Sequence, residues 1–443
     1  MGITKEMGSA QYRYVFVSGK NWKLSLAELA TFLYTKNCGF KIDSYSPSFF
    51  VITTEEALDP SIIEGLGGTI KIGISLLTIP INKIKAAFLR RNKQSREDIK
   101  ELLSSSRITE AVFSYPLGTP TFGISVYVDD WRFERASGEI HRFFGSYFKK
   151  MLASRGEKSS FMGFPKYRAQ PQLTHVEVLK RELLEKSGEV VFCLDKKQAL
   201  ISKTIAVHNP FDFQKRDIER PFQRKMFSIP PRLARIMVNL SRCRKGSVFL
   251  DPFCGVGTVL QEAMLTGAEV IGVDLNPWCI KASRSNLEWL TREYSLKDVN
   301  YDVLVGDSRR LRDQIHEDSV ECIATEPDLG PPLRHFPTKS YAEKIIDTLR
   351  PVYNDFLMEA YETLKEGGRL VLVTPYIKNR DGAFISLNVM EKARSVGFKI
   401  VSPFEKSNFV NEISLSENLA KEAALVDMGE RHKVGREIHI FQK

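Results

Sequence analysis

The amino-acid sequence predicts an α/β chain: a Rossmann-like, seven-stranded doubly wound sheet in the C-terminal half, preceded by smaller α+β units. Three stretches carry that reading. In the first, Val248, Phe249 and Leu250 lead into Asp251 and then into the turn Pro252-Phe253-Cys254-Gly255-Val256-Gly257. Val259, Leu260, Ala263 and Leu265 follow at helical spacing and Gly267 closes the pattern, so the stretch reads as buried strand, tight turn and helix. The second is a strand over residues 269–273 that ends in Asp274, and the third a strand over 302–305 that runs into Gly306-Asp307-Ser308. Glycines at 255 and 257 let the backbone approach a ligand where a side chain would collide. A carboxylate at position 274 can accept hydrogen bonds from both hydroxyls of a ribose. The layout predicts a nucleoside cofactor at the carboxyl ends of the strands.

The turn also narrows the cofactor. A dinucleotide site needs G-x-G-x-x-G or A, and here Leu260 stands where the third small residue belongs. Asp251 would repel a pyrophosphate but suits a cationic group such as the ammonium of S-adenosyl-L-methionine. On these residues the chain resembles the class I methyltransferases. The resemblance implies cofactor contacts from Asp251, Phe253, Cys254, Gly255 and Gly257 of the turn, from Asp274 and Leu275, and from Asp307 and Ser308, with Asp307 holding the adenine amino group.

At 443 residues the chain is expected to bury more than one core. No apolar run reaches membrane-span length, no signal peptide is expected at the start, and Glu6 stands where a myristoylation signal wants Ser or Thr. The six cysteines form no C-x-x-C pair and the seven histidines do not cluster, so neither a disulfide framework nor a metal site is expected. That makes a reducing cytoplasm the expected location. A net charge of +10 points towards a polyanionic partner.

The N-terminal elements follow in order. Residues 12–17 read as a strand, and Ser25-Leu26-Ala27-Glu28 as a capping box opening a helix through Leu33. Strands at 49–53 and 69–74 complete a first unit, residues 1–85. Residues 86–205 form a second unit: a charged helix or linker to 102, a strand at 122–128, helices at 137–152 and around 173–186, and strands at 189–194 and 199–203. Residues 206–245 are a basic connector leading into a helix that Pro230-Pro231 begin. Residues 246–443 form the sheet unit, with further strands at 320–324, 369–374, 398–401 and 437–441. Residues 342–364 carry apolar side chains at helical spacing, and Gly367-Gly368 are expected to stop that helix. Residues 411–433 read as a polar loop or loose helix.

The connector holds Arg216, Arg220, Arg224, Lys225, Arg232, Arg235, Arg242, Arg244 and Lys245, interleaved with Phe211, Phe213, Phe222 and Phe227. Cations for phosphates and rings for bases are what a nucleic-acid channel needs. Arg220, Arg224 and Lys225 are therefore the expected RNA contacts.

Arg216-Asp217-Ile218-Glu219-Arg220-Pro221, the run from Ile229 to Leu240, and the ending Glu430-Arg431-His432-Lys433-Val434 with Arg436-Glu437-Ile438 resemble the archaeal and eukaryotic tRNA guanosine-10 N2-methyltransferases. The likeness is specific from about residue 204 onward and weaker before it. It implies a THUMP-like RNA-binding unit over 86–205, tRNA as partner, room for a small protein activator, and no membrane association. One departure stands out. Such enzymes carry Asp/Asn-Pro-Pro-Tyr/Phe after the fourth strand, and this chain has Glu326-Pro327-Asp328-Leu329. An acid and a proline survive, but Leu329 cannot stack on a base. The expected function is S-adenosyl-L-methionine-dependent methylation of a guanosine N2 amine in tRNA, with Glu326, Pro327 and Asp328 as the catalytic residues. The alternatives are a catalytically impaired RNA-binding homologue and a DNA amino-methyltransferase.

Overall fold

The computed structural model describes residues 11–113, 121–164, 170–185, 188–224, 228–410, 419 and 422–443. The chain builds two sheets, one after the other. The first contains β1 (Tyr12–Ser18), β2 (Phe40–Tyr45), β3 (Phe49–Thr54), β4 (Thr69–Pro80), β5 (Thr121–Val128), β6 (Ser160–Phe161), β7 (Gly188–Leu194) and β8 (Gln198–Val207). Their spatial order is β2-β3-β1-β4-β8-β7-β5-β6. The residues assigned to two successive α+β units thus share one eight-stranded sheet. The twelve-residue β4 runs past the expected end at 74, and β8 returns to pair along it from Lys71–Val207 to Pro80–Gln198. Such a pairing across more than a hundred residues leaves no local trace in the sequence.

The helix Trp22–Thr35 starts three residues before the expected capping box. Asn21 is the cap, its side chain accepting from Leu24 N. Ser25 and Glu28 lie inside the helix and are buried. Ser25 Oγ donates to Gly68 O at 2.8 Å, and the Glu28 carboxylate accepts from Gly67 N, Gly68 N and Asn239 Nδ2, each at 2.7 Å. Burial lifts Glu28 to about 6. What resembles a local capping pair is a clamp between this helix, the start of β4 and the helix Pro231–Leu240. Leu24, Leu29 and Leu33 share one apolar core with Leu233, Met237 and Leu240, so the first unit is packed onto the second half.

The second sheet contains β9 (Val248–Asp251), β10 (Glu269–Asp274), β11 (Tyr301–Val305), β12 (Val320–Thr325), β13 (Leu364–Lys378), β14 (Phe384–Ser386), β15 (Lys399–Ile400), β16 (Ala424–Asp427) and β17 (Val434–Gln442). The main order is β11-β10-β9-β12-β13-β17-β15, with β14 added to β13 and β16 to β17. It holds nine strands rather than the seven expected. β16 falls in the stretch read as a loop, of which residues 411–418, 420 and 421 lie outside the described residues. Strands β9 to β13 are parallel and β17 is antiparallel. The chain enters at β9, moves out to β11 and crosses back to β12. The switch point is therefore the crevice above the ends of β9 and β12. Helix Lys339–Thr363 contains Pro351 and passes directly into β13 at Leu364, so Gly367 and Gly368 lie within the strand and do not end the helix.

Among the described residues no helix is long and apolar enough to cross a membrane, and no cluster of three or more His, Cys, Asp or Glu could hold a metal. All six cysteines are free thiols.

Candidate active site

The turn after β9 is held from several sides. Asp251 is buried at the strand end, where its Oδ1 accepts from Thr325 Oγ1 at 2.6 Å and from Phe253 N at 3.2 Å. Burial pushes this carboxyl up to about 7, and the neighbouring Asp274 and Glu326 carboxylates add to the effect. Gly257 caps the helix Thr258–Met264 at φ +83°, and a Cβ there would lie 2.5 Å from Ser283 Oγ. Gly255, at φ +53°, has open space where its Cβ would stand, so the backbone faces a cleft. Cys254 is buried under the turn.

Asp274 ends β10 and fixes the same turn. Its Oδ2 accepts from Gly255 N at 3.0 Å and its Oδ1 from Asn276 N at 2.8 Å. A carboxylate has about four lone-pair sites, so two remain for ligand hydroxyls. Asp274→Ala is expected to weaken S-adenosyl-L-methionine binding about tenfold or more, because it removes charge-assisted bonds and the tie to Gly255. Calorimetry giving wild-type affinity would overturn that role. Leu275 is exposed beside it. Asp307 is engaged elsewhere: the Arg309 guanidinium meets it at 2.6 Å and the Arg309 N–H at 3.0 Å. Those bonds hold its carboxyl below the usual range. Ser308 is buried behind it.

The turn that carries Glu326, Pro327 and Asp328 follows β12. Glu326 forms a two-point ion pair with Arg436 of β17: Nε donates to one carboxylate oxygen and Nη2 to the other. The side chains are 11% and 20% exposed, so little water screens the pair. The extra methylene of Glu over Asp lets position 326 reach a partner two strands away. Pro327 is buried. Asp328 is exposed, its Oδ1 accepting from Gly330 N at 3.0 Å and its carbonyl from Tyr353 OH at 3.0 Å. Leu329 packs against the core and offers no ring.

The basic connector differs from its expected role. Arg220 is 3% exposed, and its guanidinium donates to Thr258 Oγ1 at 2.6 Å, Gln261 Oε1 at 3.3 Å and Ser228 Oγ at 3.0 Å. It braces the start of the helix after the β9 turn from behind and is too buried to meet a phosphate. Arg216 and Arg235 are likewise buried, both paired with Glu262. Phe222 is tied to the turn through Asn286, whose Nδ2 donates to Phe222 O and to Val256 O. Arg224 is exposed and lines the cleft. Lys225 and Phe227 lie outside the described residues.

A cleft of about 850 Å³ gathers Phe253, Gly255 and Asp274 with Glu326, Pro327, Asp328 and Arg224. Asp251, Cys254 and Gly257 support it without lining it. Leu275, Asp307, Ser308 and Arg220 are not part of its wall. Arg436 does line it, and sequence reading gave it no role, although an arginine in the final strand of a sheet with an acidic centre was a signal.

Two family models match. One, UPF0020, described as an RMKL-like methyltransferase domain, covers residues 219–399. The C-terminal half is thus similar to a methyltransferase domain over those residues. The second, a DNA methylase family, covers 127–285, a span that includes β9 and β10 but stops before β12 and Glu326. The chain is similar to the tRNA (guanine(10)-N2)-dimethyltransferase of Methanothermobacter thermautotrophicus, 36% identical over 160 residues, covering 35% of this chain and 42% of that one. The corresponding enzyme of Pyrococcus abyssi is 34% identical over 194 residues, covering 44% and 50%. The chain thus spans half or less of the length of these curated relatives. The crystal structure of TrmN from Thermus thermophilus shares the fold across 98% of this chain and 99% of its own, with a TM-score of 0.51 at 18% identity.

Proposed function

We propose that the chain is an S-adenosyl-L-methionine-dependent tRNA methyltransferase acting on the exocyclic N2 amine of a guanosine, with position 10 as the expected site. The observation that carries this reading is the single cleft at the β9/β12 switch point, which joins the cofactor turn to Glu326-Pro327-Asp328. The residues fit the cofactor. Gly255 leaves room for it, Asp274 can take its ribose, and Asp251, without an adjacent guanidinium and lifted by burial, suits a cationic ligand. The eight-stranded N-terminal sheet, including the THUMP-like residues 86–205, would hold the tRNA. Six free thiols suit a reducing cytoplasm.

When bound, the cofactor supplies an electrophilic methyl group. The chain's own part is to position the amine and to meet the positive charge that grows on its nitrogen. Arg436 uses one lone pair on each Glu326 oxygen and fixes the carboxylate, leaving the others for the amine hydrogens. Tyr353 anchors the Asp328 carbonyl and so the shape of the turn.

A pH dependence follows. A bound cation favours ionised Asp251, so binding releases a proton wherever that group is still protonated. Affinity should fall as pH drops below about 7, by at most about tenfold per unit. Calorimetry in buffers of different ionisation heat reads the released proton, and a flat affinity between pH 6 and 8 would remove Asp251 from the binding event.

A second reading, an RNA-binding homologue without catalysis, draws on Leu329 and on the engagement of Glu326 by Arg436. Labelled cofactor incubated with an unmodified tRNA transcript separates the two. The enzyme yields N2-methylguanosine on nucleoside mass spectrometry, whereas the homologue binds RNA and cofactor and transfers nothing.

A further inference from the structure

With Arg216, Arg220 and Arg235 buried, Arg224 is the described connector arginine that lines the cleft, and a second group of cations and rings, half-buried except for Phe384, lies beside it. β13 continues to Lys378 and turns back through β14, an extra strand that pairs Tyr376 with Ser386 and Lys378 with Phe384. In this hairpin Tyr376 and Phe384 stack at 4.6 Å with planes 10° apart, and Phe384 is 46% exposed. Lys378 Nζ sits 5.9 Å from the rings of both Phe384 and Phe336, and Lys433 Nζ is 6.0 Å from Phe336. Backbone bonds tie the pieces together: Lys378 N donates to Lys433 O at 2.9 Å and Arg380 N to Pro337 O at 2.9 Å. Lys433 itself lines the cleft. Segments 333–338, 376–384 and 430–434 carry Arg334, Lys378, Arg380, Arg431 and Lys433 against only Asp381 and Glu430.

We propose that this rim, Phe384 on Tyr376 with Lys378 and Lys433 around Phe336, seats an unpaired nucleotide of the RNA substrate at the mouth of the cleft. The inference rests on the RNA-substrate reading above and gives it a recognition surface. An exposed ring offers a base a stacking face of the kind Leu329 lacks, and flanking ammonium groups meet the phosphates on either side. A folded duplex would not fit this chemistry, because its bases are already stacked.

Binding of full-length protein to an unmodified tRNA transcript, measured across a salt series, tests it. Phe384→Ala should weaken binding about tenfold with an unchanged salt slope, and Phe384→Tyr should restore it. Lys378→Gln with Lys433→Gln should instead flatten the slope by about two ions. Cofactor affinity should hold in both Phe384 variants, because that ring is not part of the cleft wall. Wild-type RNA affinity in Phe384→Ala overturns the proposal, as does a wild-type protein that binds no tRNA. Because binding is read without methyl transfer, a wild type that binds but does not methylate removes the catalytic reading alone.

Discussion

Glu262→Ala is expected to destabilise the protein by about 3–5 kcal/mol, the cost typical of leaving a buried charge without its partner. Glu262 is fully buried on the helix that follows the cofactor turn. Arg216 Nε meets it at 2.6 Å and Arg235 Nη2 at 2.8 Å. Removing the carboxylate strands two buried guanidinium groups, and Asp212 can compensate only Arg216. Chemical denaturation followed by tryptophan fluorescence reads the change. Cofactor affinity should fall with it, since the helix carries the turn. A midpoint equal to wild type would mean that the triad contributes nothing to holding the connector in place.

The second large effect is on catalysis. Glu326→Gln keeps an acceptor oxygen but loses the charge, and it also breaks the ion pair that fixes the side chain. The turnover number is expected to fall about 10²-fold, as on removal of one positioned polar group from a transition-state site. Cofactor affinity should not change. Asp328→Ala should cost less, because that side chain is exposed and its visible task is the bond to Gly330 N. Single-turnover methylation of tRNA separates chemistry from product release. Full activity in Glu326→Gln would move the amine acceptor to another group.

What could be read from sequence tracks how local the determinants are. The strands β9, β10, β11 and β12 with their terminal acids were legible, because apolar runs end in polar turns within a few residues. The convergence of Asp274 and Glu326 depends on the spatial order β10-β9-β12, which the ranges of the strands do not carry. Arginine is ambiguous: Arg220 and Arg224 read alike in sequence, yet one is buried behind the turn and the other faces the cleft. Glu28 imitated a helix cap because Ser and Glu three apart serve equally well in tertiary contacts. The Glu326–Arg436 pair joins residues 110 positions apart and has no periodicity to betray it. The pairing of β4 with β8 was hidden for the same reason.

Methylation of an exocyclic amine is tested most directly by removing that amine from the substrate. Inosine is guanosine without the N2 amine. A tRNA transcript with guanosine at position 10 and a matched one with inosine there should be incubated with the protein and labelled S-adenosyl-L-methionine. N2-methylguanosine is expected from the first and no incorporation into the second. Equal labelling of both transcripts would contradict it.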